Sequence, residues 1–163
     1  VMAVGKMATV DITKNIDDLA NTPSIFSITP NPDTNCNQML VDMSQRKIMI
    51  KLPWKDYANY RALRSLPEAQ SVLNSLTIIP ALIYVFGQLR VQSIEERNLN
   101  NSDTLWYRVL SKTLSTQFNC DIESAQFDSQ NFLELAQKLV NDPLADAFKF
   151  LTTSSNPFGG DGE

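Results

Sequence analysis

The clearest alternation of apolar and polar positions falls at residues 39–52. Met39-Leu40-Val41-Asp42-Met43 and Lys47-Ile48-Met49-Ile50-Lys51 are separated by Ser44-Gln45-Arg46. Side chains alternate across a strand. Met39, Val41 and Met43 therefore share one face and Asp42 takes the other. Ile48, Ile50 and Leu52 likewise oppose Lys47, Met49 and Lys51. The pattern predicts a β-hairpin with one buried and one wet face. Two strands alone are marginal in water. Ser24–Thr29 reads as a short strand and is the candidate third member, set off by the loop signal Pro30-Asn31-Pro32-Asp33.

From Pro53 the period becomes helical. Pro53 suits a first helical turn, and Trp54, Tyr57, Ala58 and Arg61 follow at helical spacing. Ser65-Leu66-Pro67-Glu68 has the form of a capping box. It would open a long helix carrying the stripe Leu66, Ala69, Val72, Leu73, Leu76, Ile79, Ile83, Phe86 and Leu89, running to about Asn98. Pro80 in its middle predicts a kink near residues 76–79, or two helices meeting there. Further helices are expected from Leu105, Trp106, Val109, Leu110 and Leu114, and from Phe132, Leu135, Ala136, Leu139 and Val140 after an Asp128-Ser129 cap. A last one follows Asp142-Pro143, with Leu144, Ala147, Phe148 and Leu151 inward. Ile16–Ala20 is read as one or two helical turns. The expected fold is α+β and predominantly helical, a hairpin of two or three strands on four to five helices. The N-terminal segment 1–52 carries the hairpin, 53–151 is the helical body and 152–163 a flexible tail, all within one compact domain.

Composition adds exclusions. The chain has 163 residues, 43% apolar and 20% charged, close to an ordinary globular domain. Its net charge of −4 and isoelectric point near 4.8 count against binding nucleic acid or anionic membrane by bulk charge. There is no histidine, which removes the commonest metal ligand and general base. Cys36 and Cys120 supply half the thiolates of a Cys-only zinc site. Neither metal nor cofactor is expected, and both cysteines are read as inert thiols. The longest apolar run, Leu76–Phe86, falls short of the ~20 residues of a spanning helix. It is read as a core helix, with no membrane partner. Free thiols and no leader pattern lead to an expected cytoplasmic location.

No Gly-x-Ser-x-Gly, phosphate-loop or Gly-x-Gly-x-x-Gly pattern is present, so no enzyme is expected. The most suggestive segment is Trp54-Lys55-Asp56-Tyr57-Ala58-Asn59-Tyr60-Arg61-Ala62-Leu63-Arg64. Trp, Tyr and Arg dominate the energetics of protein interfaces. Interleaved aromatics and cations also suit single-stranded nucleic acid. The bland alternative packs Trp54 and Tyr57 on the hairpin and leaves the cations in water. Trp106-Tyr107-Arg108 repeats the theme, with Trp106 in the core and Tyr107 and Arg108 facing solvent. Met49 stands between Lys47 and Lys51, where no core demands an apolar side chain. These features predict a non-enzymatic interaction domain, a component of a larger assembly. Its partner would be another protein or a second copy, bound through the hairpin edge and Trp54, Tyr57, Tyr60, Arg61, Arg64 and Met49. The alternative is a nucleic-acid accessory using Lys55, Arg61, Arg64, Arg90 and Arg97. A third reading is an enzyme with an unfamiliar carboxylate, Lys or Tyr site.

Overall fold

The computed structural model describes residues 25–155. The helical turns expected at 16–20 and residues 156–163 of the expected tail lie outside them. The fold is α+β. Strands β1 (Phe26–Pro30), β2 (Leu40–Asp42) and β3 (Ile48–Leu52) form one sheet in the order β1-β3-β2. β2 and β3 make the expected antiparallel hairpin, with Val41 opposite Ile50. β1 joins as the third strand, and it runs parallel to β3 with Phe26 opposite Ile48. The buried residues of β3 are Ile48, Ile50 and Leu52, while Met49 and Lys51 are only half-buried on the other face. The alternation thus places β3 against the helices with the phase its sequence gives it.

The helical layer begins with α1 (Trp54–Arg64). The long segment Pro67–Val91 follows as one helical run of 25 residues, here α2. By length and composition alone it could cross a membrane. Its apolar residues, Leu82, Val85, Phe86 and Leu89 among them, are instead buried in the core beneath the sheet. The expected Ser65–Glu68 capping box does not form. Ser65 closes α1, its hydroxyl donating to the carbonyl of Ala62, and extended Leu66 precedes a 3-10 turn at Pro67–Ala69.

At the position expected for the kink, the helix before Pro80 widens. A wide π turn occupies Asn74–Ile78, with the Ile79 N–H donating to the Asn74 carbonyl five residues back. Pro80 has no N–H and its ring crowds the carbonyl four residues earlier. Adding one residue to the preceding turn relieves both problems. The hydroxyls of Ser75 and Thr77 bond to the carbonyls of Ser71 (2.8 Å) and Leu73 (2.6 Å). The extra residue also changes the phase of the apolar stripe. Thr77 and Ile78 turn inward, and Leu76, expected in the core, is 64% exposed.

The long helix ends at Val91 rather than near Asn98. Gln92 is extended, and Ser93 and Glu96 form a reciprocal capping box that opens α3 (Ile94–Asn101). Two reciprocal bonds to otherwise orphaned N–H groups outweigh continuation of the earlier helix. Arg97 of α3, expected among surface cations, is 1% exposed. Its Nε donates to the Leu89 carbonyl and Nη1 to the Ile122 carbonyl, each at 2.8 Å, and Nη2 pairs with Asp128. The guanidinium also lies 5.5 Å from the Phe127 ring centre. One planar fork thereby ties the end of α2 to the connector and to the one-turn α5 (Ala125–Asp128).

Helix α4 (Leu105–Phe118) is held to the hairpin turn. The N–H groups of Leu105 and Trp106 donate to the Arg46 carbonyl at 3.0 and 3.2 Å, and Trp106 Nε1 donates to the Met43 carbonyl at 3.0 Å. Tyr107, expected in solvent, is buried, its hydroxyl donating to Glu123 at 2.8 Å. Burial needs that partner for the phenol. Asp128 and Ser129 do not cap the next helix. Asn131 caps α6 (Phe132–Leu139), accepting from the Glu134 N–H at 3.2 Å.

Helix α7 (Leu144–Ser155) continues into the stretch expected as tail. The Thr152 and Thr153 hydroxyls support it by bonding back to the Phe148 and Lys149 carbonyls. It packs on the first turns of α2 through Pro143, Ala147 and Phe150, so Leu144, Phe148 and Leu151 point outward. The described residues hold seven helices, two more than the upper expectation, because α3 and α5 stand alone.

Two stability outcomes follow from the phase shift and from Arg97. Leu82→Ala removes a fully buried side chain and is expected to cost ~2–5 kcal/mol in urea unfolding, against less than ~1 kcal/mol for Leu76→Ala. Equal losses would contradict the π turn. Arg97→Met is expected to cost ~2–3 kcal/mol, because two buried carbonyls and the partly exposed Asp128 carboxylate lose their donor. A loss below ~1 kcal/mol would contradict the tie.

Candidate functional site

The aromatic and basic segment forms α1, which begins after Pro53 and has no fully buried residue. Pro53 is the residue just before the helix rather than its first turn, and its carbonyl accepts from the Tyr57 N–H at 2.9 Å. Tyr57 and Tyr60 lean on the core at a spacing of three. Their rings stack with centres 5.9 Å apart and planes 28° apart. Arg64, four residues on, sets its guanidinium carbon 5.9 Å from the Tyr60 ring centre, within reach of a cation–π attraction. Trp54 is not packed on the hairpin: it is 58% exposed. Lys55 and Arg61 are exposed as well.

The structure therefore brings Tyr57, Tyr60 and Arg64 together and leaves Trp54 and Arg61 on open helix surface. Met49 lies on the outer sheet face, level with Ser27 on one side and Asp42 on the other. The exposed Arg90 sets its guanidinium carbon 4.7 Å from the Phe132 ring centre. Arg97 is buried with its donors taken. Arg97 cannot share a cationic face with Lys55, Arg61, Arg64 and Arg90, because it is buried.

A groove of about 410 Å³ runs between β1 and α2, and Tyr60 and Arg64 close one side of it. Phe26 and Ile28 form its strand wall, and Gln70 and Asn74 line the helix wall. Gln70 Nε2 donates to Asn74 Oδ1 at 3.1 Å. Among the described residues, Arg64 is the only formally charged one lining the groove.

The strand wall has a directional backbone. The Ile48 N–H donates to the Ile25 carbonyl at 2.7 Å, and the Asn31 N–H donates to the Leu52 carbonyl at 2.8 Å. In a parallel ladder this phase turns Ile25, Ser27, Thr29 and Asn31 toward β3. The N–H and C=O groups of Phe26 and Ile28 then face the open edge. Among the described residues no hydrogen bond occupies them. This edge was not foreseen as part of the site, which the sequence placed at the hairpin.

Among the described residues no cluster of three or more Cys, Asp and Glu is placed to hold a metal. Cys120 is buried, and burial and the neighbouring Asp121 carboxylate push its thiol up, away from the reactive thiolate. Cys36 lies in the β1–β2 loop, donating to the Gln38 carbonyl at 3.4 Å. Both are free thiols.

No protein-family model matches the chain, and no curated protein or solved structure is significantly similar to it.

Burial raises the phenol of Tyr60 above its ordinary value, with the Arg64 charge opposing, and burial raises Tyr107, helped by its bond to Glu123. A raised phenol pKa means the folded chain holds the proton more tightly than the unfolded chain. The stabilisation is full below 10.0, the ordinary value, and is lost as pH rises beyond it. Phenolate absorbance should show both Tyr60 and Tyr107 ionising above pH 10.0. Conversion of all four tyrosines in one step at the ordinary value, with the fold intact, would contradict this.

Proposed function

We propose that this chain is a non-enzymatic interaction domain, part of a larger assembly, that binds an extended acidic segment of another protein along the open edge of β1. An added strand takes its affinity from main-chain hydrogen bonds and its specificity from pockets beside the edge. Phe26 and Ile28 supply donors and acceptors at alternate positions, and Arg64 supplies the fork for a carboxylate. The observation that carries the reading is the coincidence, among the described residues, of an unpaired strand edge with a groove whose formal charge is a single cation.

The exposure of Trp54, Lys55, Arg61 and Arg64 along α1 favours a second reading, in which bases stack on Trp54 while the cations meet phosphates. That binding would fall steeply with salt. An edge-bound peptide would depend on salt through one charge pair only.

The test is fluorescence anisotropy of the full chain with a short labelled peptide that alternates Val and Thr and ends in two Glu residues. Binding is expected, with affinity at least ~10-fold weaker for Arg64→Glu and for the same peptide ending in two Lys residues, the size of one lost charge-assisted bond. No binding up to ~1 mM peptide, or binding indifferent to both changes, would overturn the reading. Preference for a labelled oligothymidylate over the peptide would favour the second one.

A further inference from the structure

We propose that the other open edge of the sheet, β2, together with the outward face of α2, forms a two-fold contact with a second copy of this chain. The central strand again fixes the geometry. Ile48, Ile50 and Leu52 direct their backbone groups to β1, so Met49 and Lys51 direct theirs to β2, opposite Asp42 and Leu40. Met39, Val41 and Met43 are left facing outward. The Met43 carbonyl is taken by Trp106 Nε1. Among the described residues no hydrogen bond occupies the backbone groups of Met39 and Val41.

A three-residue strand cannot hold a dimer alone, because stable interfaces bury ~1,200–2,000 Å² in total. The rest of the surface is beside it. A groove of about 830 Å³ separates β2 from α2, with Val41 and Met43 on one wall and Pro80, Tyr84 and Gln88 on the other. Along the helix, Leu76, Pro80, Tyr84, Gly87 and Val91 follow one another on one face. Tyr84 is 45% exposed and Val91 82%. Gly87 interrupts this face, and a Cβ built there meets nothing within 4 Å. A glycine inside a helix costs ~0.5–1 kcal/mol relative to alanine. The fold itself does not require it, but a helix approaching from outside would use the bare backbone.

Charge selects the occupant. Among the described residues the β1 groove carries the charge of Arg64 alone, and a two-fold axis there would set Arg64 against itself. The β2 surface carries one charge of each sign, Asp42 and Lys51. Antiparallel pairing about Val41 places Leu40 opposite the partner's Asp42, with Lys51 one strand further in on the same face. Each Lys51 is then directed along the sheet toward the partner's Asp42, twice by symmetry. Such a surface is self-complementary, as a two-fold contact must be.

The test is the mass of the full chain by light scattering over a concentration series, for wild type, Tyr84→Glu, Gly87→Gln and Arg64→Glu. Wild type is expected to approach twice 18.3 kDa. Tyr84→Glu and Gly87→Gln should each weaken association by at least ~10-fold with the circular dichroism unchanged, since both positions are open in the monomer. Arg64→Glu should leave the mass unchanged, which separates this contact from peptide binding at β1. A wild-type mass of 18.3 kDa up to ~1 mM would overturn the proposal. So would association indifferent to both helix variants, or association abolished by Arg64→Glu.

Discussion

Strand β3 has backbone groups for two neighbours, and the sheet supplies one on each side. Ile48, Ile50 and Leu52 pair with β1, while Met49 and Lys51 pair with β2. Among the described residues there are three strands, so the central one is saturated and each outer one keeps a row of unused donors and acceptors. Proteins commonly shorten, charge or cover such edges. Here β2 is cut to Leu40–Asp42, and Trp106 takes the Met43 carbonyl at its end. β1 ends in Pro30, which has no N–H to offer. What stays open lies beside distinct chemistry: Tyr60 and Arg64 at β1, Tyr84 and the bare backbone of Gly87 at β2.

The helices keep those edges apart by satisfying polar groups inside the fold. Pro80 would orphan a carbonyl in a buried helix. The π turn and the hydroxyls of Ser75 and Thr77 absorb that cost. Arg97 brings a full charge into the interior, which is tolerated only when its donors are matched. Leu89, Ile122 and Asp128 match them. The Phe127 ring beneath the guanidinium continues into Phe86 and Phe132, with centres 5.1–5.6 Å apart. These contacts hold α2, α5 and α6 as one unit.

The hairpin, the candidate third strand and the apolar centre of α2 were legible because each depends on a short periodic pattern. The parallel direction of β1 was not, since pairing across twenty residues leaves no local mark. Leu76 misled because a helical stripe assumes constant phase, and the π turn before Pro80 breaks it. Ser93 and Glu96 form a capping box plainly spaced in the sequence. The apolar stripe running past them masked it, while Ser65 and Glu68 had the same spacing without the structure. Arg97 was read as a surface cation because nothing local announces that Leu89, Ile122 and Asp128 converge on it. In α1 the spacing of Tyr60 and Arg64 was sufficient to foresee their contact. The missing part was the wall opposite, because strand edges are a property of topology rather than of sequence windows.

Hydrogen exchange of individual backbone amides in the dilute full chain tests the two open edges most directly. Ile48, Met49, Ile50 and Lys51 should exchange only as slowly as the whole fold opens. Phe26, Ile28 and Val41 should exchange as fast as exposed loop amides, although the Phe26 side chain is buried. If Phe26 and Ile28 instead proved as slow as Ile48 and Ile50, their edge would already be covered. The groove under Arg64 would then be part of the closed fold and not a place for a partner.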